Sequence, residues 1–153
     1  MNLLAALANG PAIYSGAGTN HEGEAFTARL QVSKLVRGKA LLLTYVATSD
    51  NGEVIHEEST LLSTNDEEDL CLWPVMQELP FVLPHPEFRK DVAEDGSIEI
   101  VFASGQRSFI DIFREEISIS VAKDGSVLYS HAWGMPGGSF EARSKCRFMP
   151  SEA

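Results

Sequence analysis

Apolar and polar residues alternate along most of the chain. Between residues 24 and 33, Phe26, Ala28, Leu30 and Val32 share one face while Thr27, Arg29, Gln31 and Ser33 share the other. That two-residue period predicts a half-buried strand. Arg37 and Gly38 interrupt it, a β-rich run follows over residues 39–49, and Asp50-Asn51-Gly52 supplies residues that tolerate the positive φ of a hairpin turn before a returning strand over 53–63. Ahead of these strands the period is different. Asn2 is placed to cap a short helix through Ala8, stopped by Asn9, Gly10 and Pro11, so residues 1–10 are assigned to an N-terminal helix.

The second half repeats the strand grammar. Ile98, Ile100 and Phe102 share a face over residues 97–103, and Ser104-Gly105-Gln106 turns the chain into a predicted strand over 108–113. The apolar parity then changes between Ile110/Ile112 and Ile117/Ile119/Val121, which requires a break, placed at residues 114–116. Val127, Tyr129, His131 and Trp133 mark the next strand. Phe140, Ala142, Cys146 and Phe148 mark the last, opposite Glu141, Arg143, Lys145 and Arg147. Residues 12–18 and 69–73 add two short strands. Pro74, Pro80, Pro84 and Pro86 remove ladder donors, so residues 74–88 are expected to form a Pro-rich loop or lid. About nine strands joined by tight turns, with no βαβ unit, predict an all-β fold in one domain over residues 1–153. An antiparallel up-and-down barrel and a sandwich both satisfy this pattern.

Composition narrows the function classes. Hydrophobic residues are 44% and charged residues 22% of the 153, the balance of a globular chain. Twelve Lys and Arg against 22 Asp and Glu leave a formal charge of −10, which opposes binding to phosphate backbones or anionic lipid, so neither nucleic acid nor membrane is expected as a partner. The apolar start at residues 1–8 lacks a preceding positive charge and is short for an export signal. Cys71 and Cys146 show no CxxC spacing and read as buried thiols in a reducing, cytoplasmic compartment.

The opening run Gly10-Pro11-Ala12-Ile13-Tyr14-Ser15-Gly16-Ala17-Gly18, followed by the strand containing His56-Glu57-Glu58, Leu61 and Leu62, resembles the calycin superfamily of lipocalins, fatty-acid-binding proteins and nitrobindin-type barrels. The resemblance is strongest over residues 4–62. It implies a lipocalin-like barrel with an interior cavity for one small apolar or amphipathic molecule. The family's opening Trp, which plugs the closed end of the barrel, is replaced by Ile13 or Tyr14. In nitrobindin-type barrels the ligand is haem, held by a late-strand His. The matching stretch here, Ser139-Phe140-Glu141-Ala142-Arg143, has none, so no cofactor is expected unless His131 takes that role.

Candidate chemistry concentrates on two strands. His56, Glu58 and Thr60 share a face, and imidazole with carboxylate at that spacing suits proton transfer, although the pair equally suits a solvated sheet face. Tyr129, His131 and Trp133 form a stripe that serves either as core or as a surface for a flat ligand. Trp73, beside the Pro-rich segment, is placed to close a pocket. No HxH, HxxxH or CxxC pair suggests a metal site, and no GxSxG or phosphate loop is present. The expected function is therefore binding rather than catalysis, with Tyr45, His56, Glu58, Trp73, Tyr129, His131 and Trp133 as ligand-binding residues. Two alternatives stand beside it: an isomerase or cyclase using His/Glu acid–base chemistry, and a ligand-free sheet protein that self-associates, for instance as a homodimer.

Overall fold

The computed structural model describes residues 2–151. Ten antiparallel strands close into a barrel behind one short helix. They are β1 (Ile13–Asn20), β2 (Ala25–Leu35), β3 (Ala40–Ser49), β4 (Val54–Thr64), β5 (Leu70–Met76), β6 (His85–Val92), β7 (Ile98–Ser104), β8 (Arg114–Val121), β9 (Val127–Gly134) and β10 (Glu141–Pro150). Each strand pairs with its neighbour in sequence, and β1 also pairs with β10, with Tyr14 opposite Pro150 and Gly18 opposite Cys146. Closure through that last pair decides for the barrel over the sandwich, because it leaves the sheet without a free edge.

Over β2 and β3 the alternation read from sequence is the alternation of burial; in the last strand it holds only from Cys146 on, because Phe140 precedes the strand and a register shift between Ala142 and Ser144 leaves Ala142 exposed and Arg143 half-buried. Phe26, Ala28, Leu30 and Val32 of β2 and Leu41, Leu43, Tyr45 and Ala47 of β3 point inward. Opposite them stand Ile100, Phe102, Ile117, Ile119, Tyr129 and Phe148. Helix α1 (Leu3–Ala8) is capped by the Asn2 side chain, which accepts from the Ala5 amide at 2.8 Å. Its Leu3 and Leu7 are buried, and it packs against β2, β3, β7 and β8 at one end of the barrel. Tyr14 is buried with them. The backbone at Gly10 passes so close that a Cβ there would lie 2.8 Å from the Tyr14 hydroxyl.

Three expectations are corrected. The segment 74–88 is not one loop: β5 runs on through Pro74 to Met76 and β6 begins at His85, leaving 77–84 as the connection. Pro74 is tolerated because β5 and β6 pair only at Cys71↔Pro86 and Leu72↔His85, so no ladder partner faces Pro74 on that side. Residues 108–113 are not a strand. They form a turn-rich loop with Phe109, Ile110 and Ile112 exposed, and the true partner of β7 is β8, with Ile98 opposite Val121. Residues 114–116, expected as a break, are the start of β8.

Arg114 explains how that strand begins. Its side chain is 1% exposed and donates to the carbonyls of Arg107, Ile112, Met135 and Gly138, at 2.6–3.3 Å. The guanidinium fork thereby ties the 105–113 loop to the loop after β9. Gly134 leaves it room: a Cβ there would sit 2.5 Å from Arg114 Cζ.

Candidate functional site

The end of the barrel away from α1 carries a polar cluster centred on Glu58. The inner face of β4 reads His56, Glu58, Thr60, Leu62, and Glu58 and Thr60 are fully buried. The polar face of this strand is turned inward, which excludes the solvated-face reading for Glu58. On a ten-strand ring β9 lies five positions from β4, on the opposite wall, and it turns Tyr129 and His131 toward the same point.

Glu58 takes four donors. Its Oε1 accepts from His131 Nε2 at 2.8 Å and from His56 Nε2 at 3.0 Å. Its Oε2 accepts from Thr60 Oγ1 at 2.6 Å and from the Tyr129 hydroxyl in a short bond. The other nitrogen of each imidazole is also held: His56 Nδ1 pairs with the Glu78 carboxylate at 2.9 Å and His131 Nδ1 with Ser144 Oγ at 2.9 Å. Tyr45 packs edge-on against His56, Tyr129, His131 and Phe148, with ring centroids 5.1–5.8 Å apart. A carboxylate this buried persists only because it is so fully bonded.

The electrostatics follow from those contacts. Burial works against an imidazolium at His56, yet its hydrogen bonds to Glu58 and Glu78 outweigh that and raise its pKa to about 10. Burial favours the neutral acid at Glu58, but His131 first and His56 second hold its pKa well below the usual carboxylate range. Glu78, where burial pushes the other way, is lowered by its bond to His56. Burial, with the Glu58 charge added, raises the hydroxyls of Tyr129 and Tyr45, and burial lifts the Cys146 thiol to about 11.

Above the cluster a cavity of about 230 Å³ opens at the barrel mouth. Phe26, Ala47, Ile55 and Trp133 form apolar wall, Arg143 brings a guanidinium to it, and Glu78 adds a carboxylate beside His56 and His131, whose ring nitrogens are already bonded within the cluster. Arg143 is anchored over the Trp133 ring, 5.3 Å from its centroid, and to Glu141 at 3.3 Å. The cavity is smaller than the roughly 300–1,000 Å³ of pockets that take drug-sized ligands.

The seven residues singled out from sequence divide clearly. Tyr45, His56, Glu58, Tyr129 and His131 converge on one network, and Trp133 lies at its mouth. Trp73 does not join them: it pairs with Leu61 on the strand face opposite to Leu72 and Pro74, away from the interior. Sequence does not single out Glu78 or Ser144; it places Thr60 beside His56 and Glu58 without a role, and Arg143 on the polar face of the last strand. Only Thr60, two residues from Glu58, was within reach of a periodicity argument. His56, Glu58 and His131 also place three possible metal-ligating atoms within 4.8 Å of one another, a grouping that local spacing cannot show because β4 and β9 are far apart in the chain.

No protein-family model matches this sequence, and no match is found among curated proteins. Among solved structures, the chain is similar to Rv2717c from M. tuberculosis, with a TM-score of 0.76 and 13% identity over 97% of each chain. The two share a fold. At that identity the likeness speaks for the barrel alone, from end to end of both chains.

Proposed function

We propose that the protein binds a small, partly apolar molecule with an anionic or acceptor-rich end at the barrel mouth. One observation carries this reading: the 230 Å³ cavity joins an aromatic and aliphatic wall to the Arg143 guanidinium, above two imidazoles held in place by Glu58, Glu78 and Ser144. Apolar lining with a few convergent polar groups is the usual constitution of a ligand site. The lipocalin-like resemblance of residues 4–62 points the same way. The bonds across the lumen at Glu58 confine the ligand to the mouth, so fatty acids with long chains are disfavoured against compact carboxylates.

The two tryptophans supply the test. Trp73→Phe leaves Trp133 at the cavity as the sole indole reporter, and Trp133→Phe leaves Trp73 on the outer face. Titration with benzoate, naphthoate and short-chain fatty acids should change the emission of the first variant saturably and leave the second unchanged. An unresponsive Trp133 across that panel, together with a bare mass for the purified protein in native mass spectrometry, would overturn the proposal.

His56 supports a second reading. It touches the cavity while bonded to both Glu58 and Glu78, an arrangement suited to passing a proton to or from a bound molecule. An isomerase or cyclase of this kind would lose far more turnover than ligand affinity in His56→Gln.

A further inference from the structure

We infer that His56, Glu58 and His131 form a binding site for one divalent transition-metal ion, of the class for which zinc is the reference, at the floor of the mouth cavity. Two imidazoles and a carboxylate are a donor set that suits zinc and its first-row neighbours, and they leave at least one coordination position for an outside ligand.

The geometry supports this at two levels. The Nε2 atoms of both histidines converge on Glu58 Oε1 at 3.0 and 2.8 Å, and all three atoms lie within 4.8 Å of one another. A tetrahedral ion with bonds of about 2.0–2.1 Å sets its ligands about 3.3 Å apart, so entry of the ion asks for side-chain shifts on the order of 1 Å. Behind the ligands, each ring is already oriented through its other nitrogen, His56 by Glu78 and His131 by Ser144. A carboxylate bonded to the far nitrogen, as Glu78 is to His56, is a usual support of a metal-ligating imidazole and fixes which nitrogen faces the metal, and the Ser144 hydroxyl offers an acceptor at the same place on His131. Glu58 is supported likewise, since Thr60 and Tyr129 hold Oε2 and leave Oε1 for the ion.

The open position has a direction. Both imidazoles line the mouth cavity, so an ion between them presents its free site to the same space in which the small ligand is proposed to sit. The inference deepens that reading, because the anionic end of the ligand then becomes a metal ligand. The ion itself, however, can bind whether or not an organic ligand exists.

The experiment uses the full, untagged chain, stripped with a chelator and dialysed. Zinc is titrated against a chromogenic competitor, and cobalt is added to a second sample to read the coordination geometry from its visible spectrum. The inference expects one equivalent bound and a four-coordinate cobalt spectrum. His56→Gln should weaken zinc binding by at least about 100-fold, and Glu78→Gln, which removes only the support of one ring, by about 10–100-fold. His56 is partly exposed and Glu78 more so, so both variants keep the test available if His131→Gln or Glu58→Gln fails to fold. Failure of the wild type to take up stoichiometric zinc, or unchanged affinity in His56→Gln, would overturn it. Repeating the Trp133 titration in chelator separates the two proposals: ligand binding without metal leaves the mouth as a ligand site and removes the need for an ion, and zinc uptake without any organic ligand does the reverse.

Discussion

Replacing Glu58 by Gln changes one atom of a fully buried side chain and should cost more stability than most single substitutions. The carboxylate accepts four hydrogen bonds, two at each oxygen. A glutamine has one oxygen, which keeps the two imidazole donors, and an amide nitrogen, which takes away the acceptor of the Thr60 and Tyr129 hydroxyls and forces their protons elsewhere in a closed site. Hydrogen bonds to a charged group contribute about 1.5–3 kcal/mol each, so two lost bonds amount to roughly 3–6 kcal/mol. Relief of the buried charge offsets part of this, leaving a net loss of about 3–5 kcal/mol, the usual cost of breaking a buried ionic network. With a urea m-value of about 2 kcal/mol/M, the midpoint should fall by roughly 2 M. Unfolding followed by tryptophan emission, at pH 7 with chelator present, reads this directly. Tyr129→Phe provides an internal control, since it removes one of the conflicting donors. Glu58→Gln should therefore be less damaging in the Tyr129→Phe background, by about 1–2 kcal/mol. A Glu58→Gln protein within 1 kcal/mol of wild type, or strictly additive effects in the pair, would refute the account of Glu58 as a four-donor anion.

The remaining predictions concern pH and close backbone approaches. The pKa of His56 is raised from its ordinary value near 6.5 to about 10, so its contribution is full below about pH 6.5 and is lost as pH rises toward 10. Urea midpoints of the wild type should decline across that window and those of His56→Gln should decline less; parallel curves would place the titrating group elsewhere. Glu58 and Glu78, both lowered, act at the acid end, where stability is lost as pH falls below about 4.5 toward their depressed values. Gly134→Ala should cost about 2–4 kcal/mol by pushing the Arg114 guanidinium off its four carbonyls, and much less in an Arg114→Met background, as chemical denaturation would show. Gly16→Ala should be at least as damaging, because its Cβ would meet the Arg147 carbonyl oxygen at 2.2 Å and force β1 from β10; normal thermal stability in that variant would contradict the register.

Most of the barrel was legible because most strands have one wet and one dry face. β2 and β3 announce themselves by strict alternation, β10 does so only around Cys146 and Phe148, and Gly52, Gly96 and Gly125, at φ of 86–90°, mark turns between strands. β6 was not legible, since every residue after His85 is half-buried or exposed and the strand carries two-residue contrast nowhere. The loop at 108–113 misled in the opposite sense: Phe109, Ile110 and Ile112 imitate a buried pattern while facing solvent. Of the site, the sequence showed that His56 and Glu58 share a face and that Tyr129 and His131 share another. It could not show that the two faces meet, because Glu58 and His131 are 73 positions apart and are brought together by the closure of the whole ring. Thr60 was nearby in sequence, whereas Glu78 and Ser144 reach the histidines only through tertiary placement.

The short seam between β5 and β6 divides the barrel into unequal kinds of closure. Every other neighbouring pair is registered over five to ten residues, and this one over two. What anchors β6 beside it is a clasp more than a zipper. His85, at the start of β6, is fully buried and bridges the Leu83 carbonyl to Glu115 on β8, each at 2.7 Å. A zipper yields tooth by tooth, and its strength grows with length; a clasp is either fastened or open. The start of β6 is therefore fastened to β8 by a single imidazole–carboxylate contact rather than to β5 by a ladder, and the short β5–β6 seam is where the ring has the fewest backbone bonds to break.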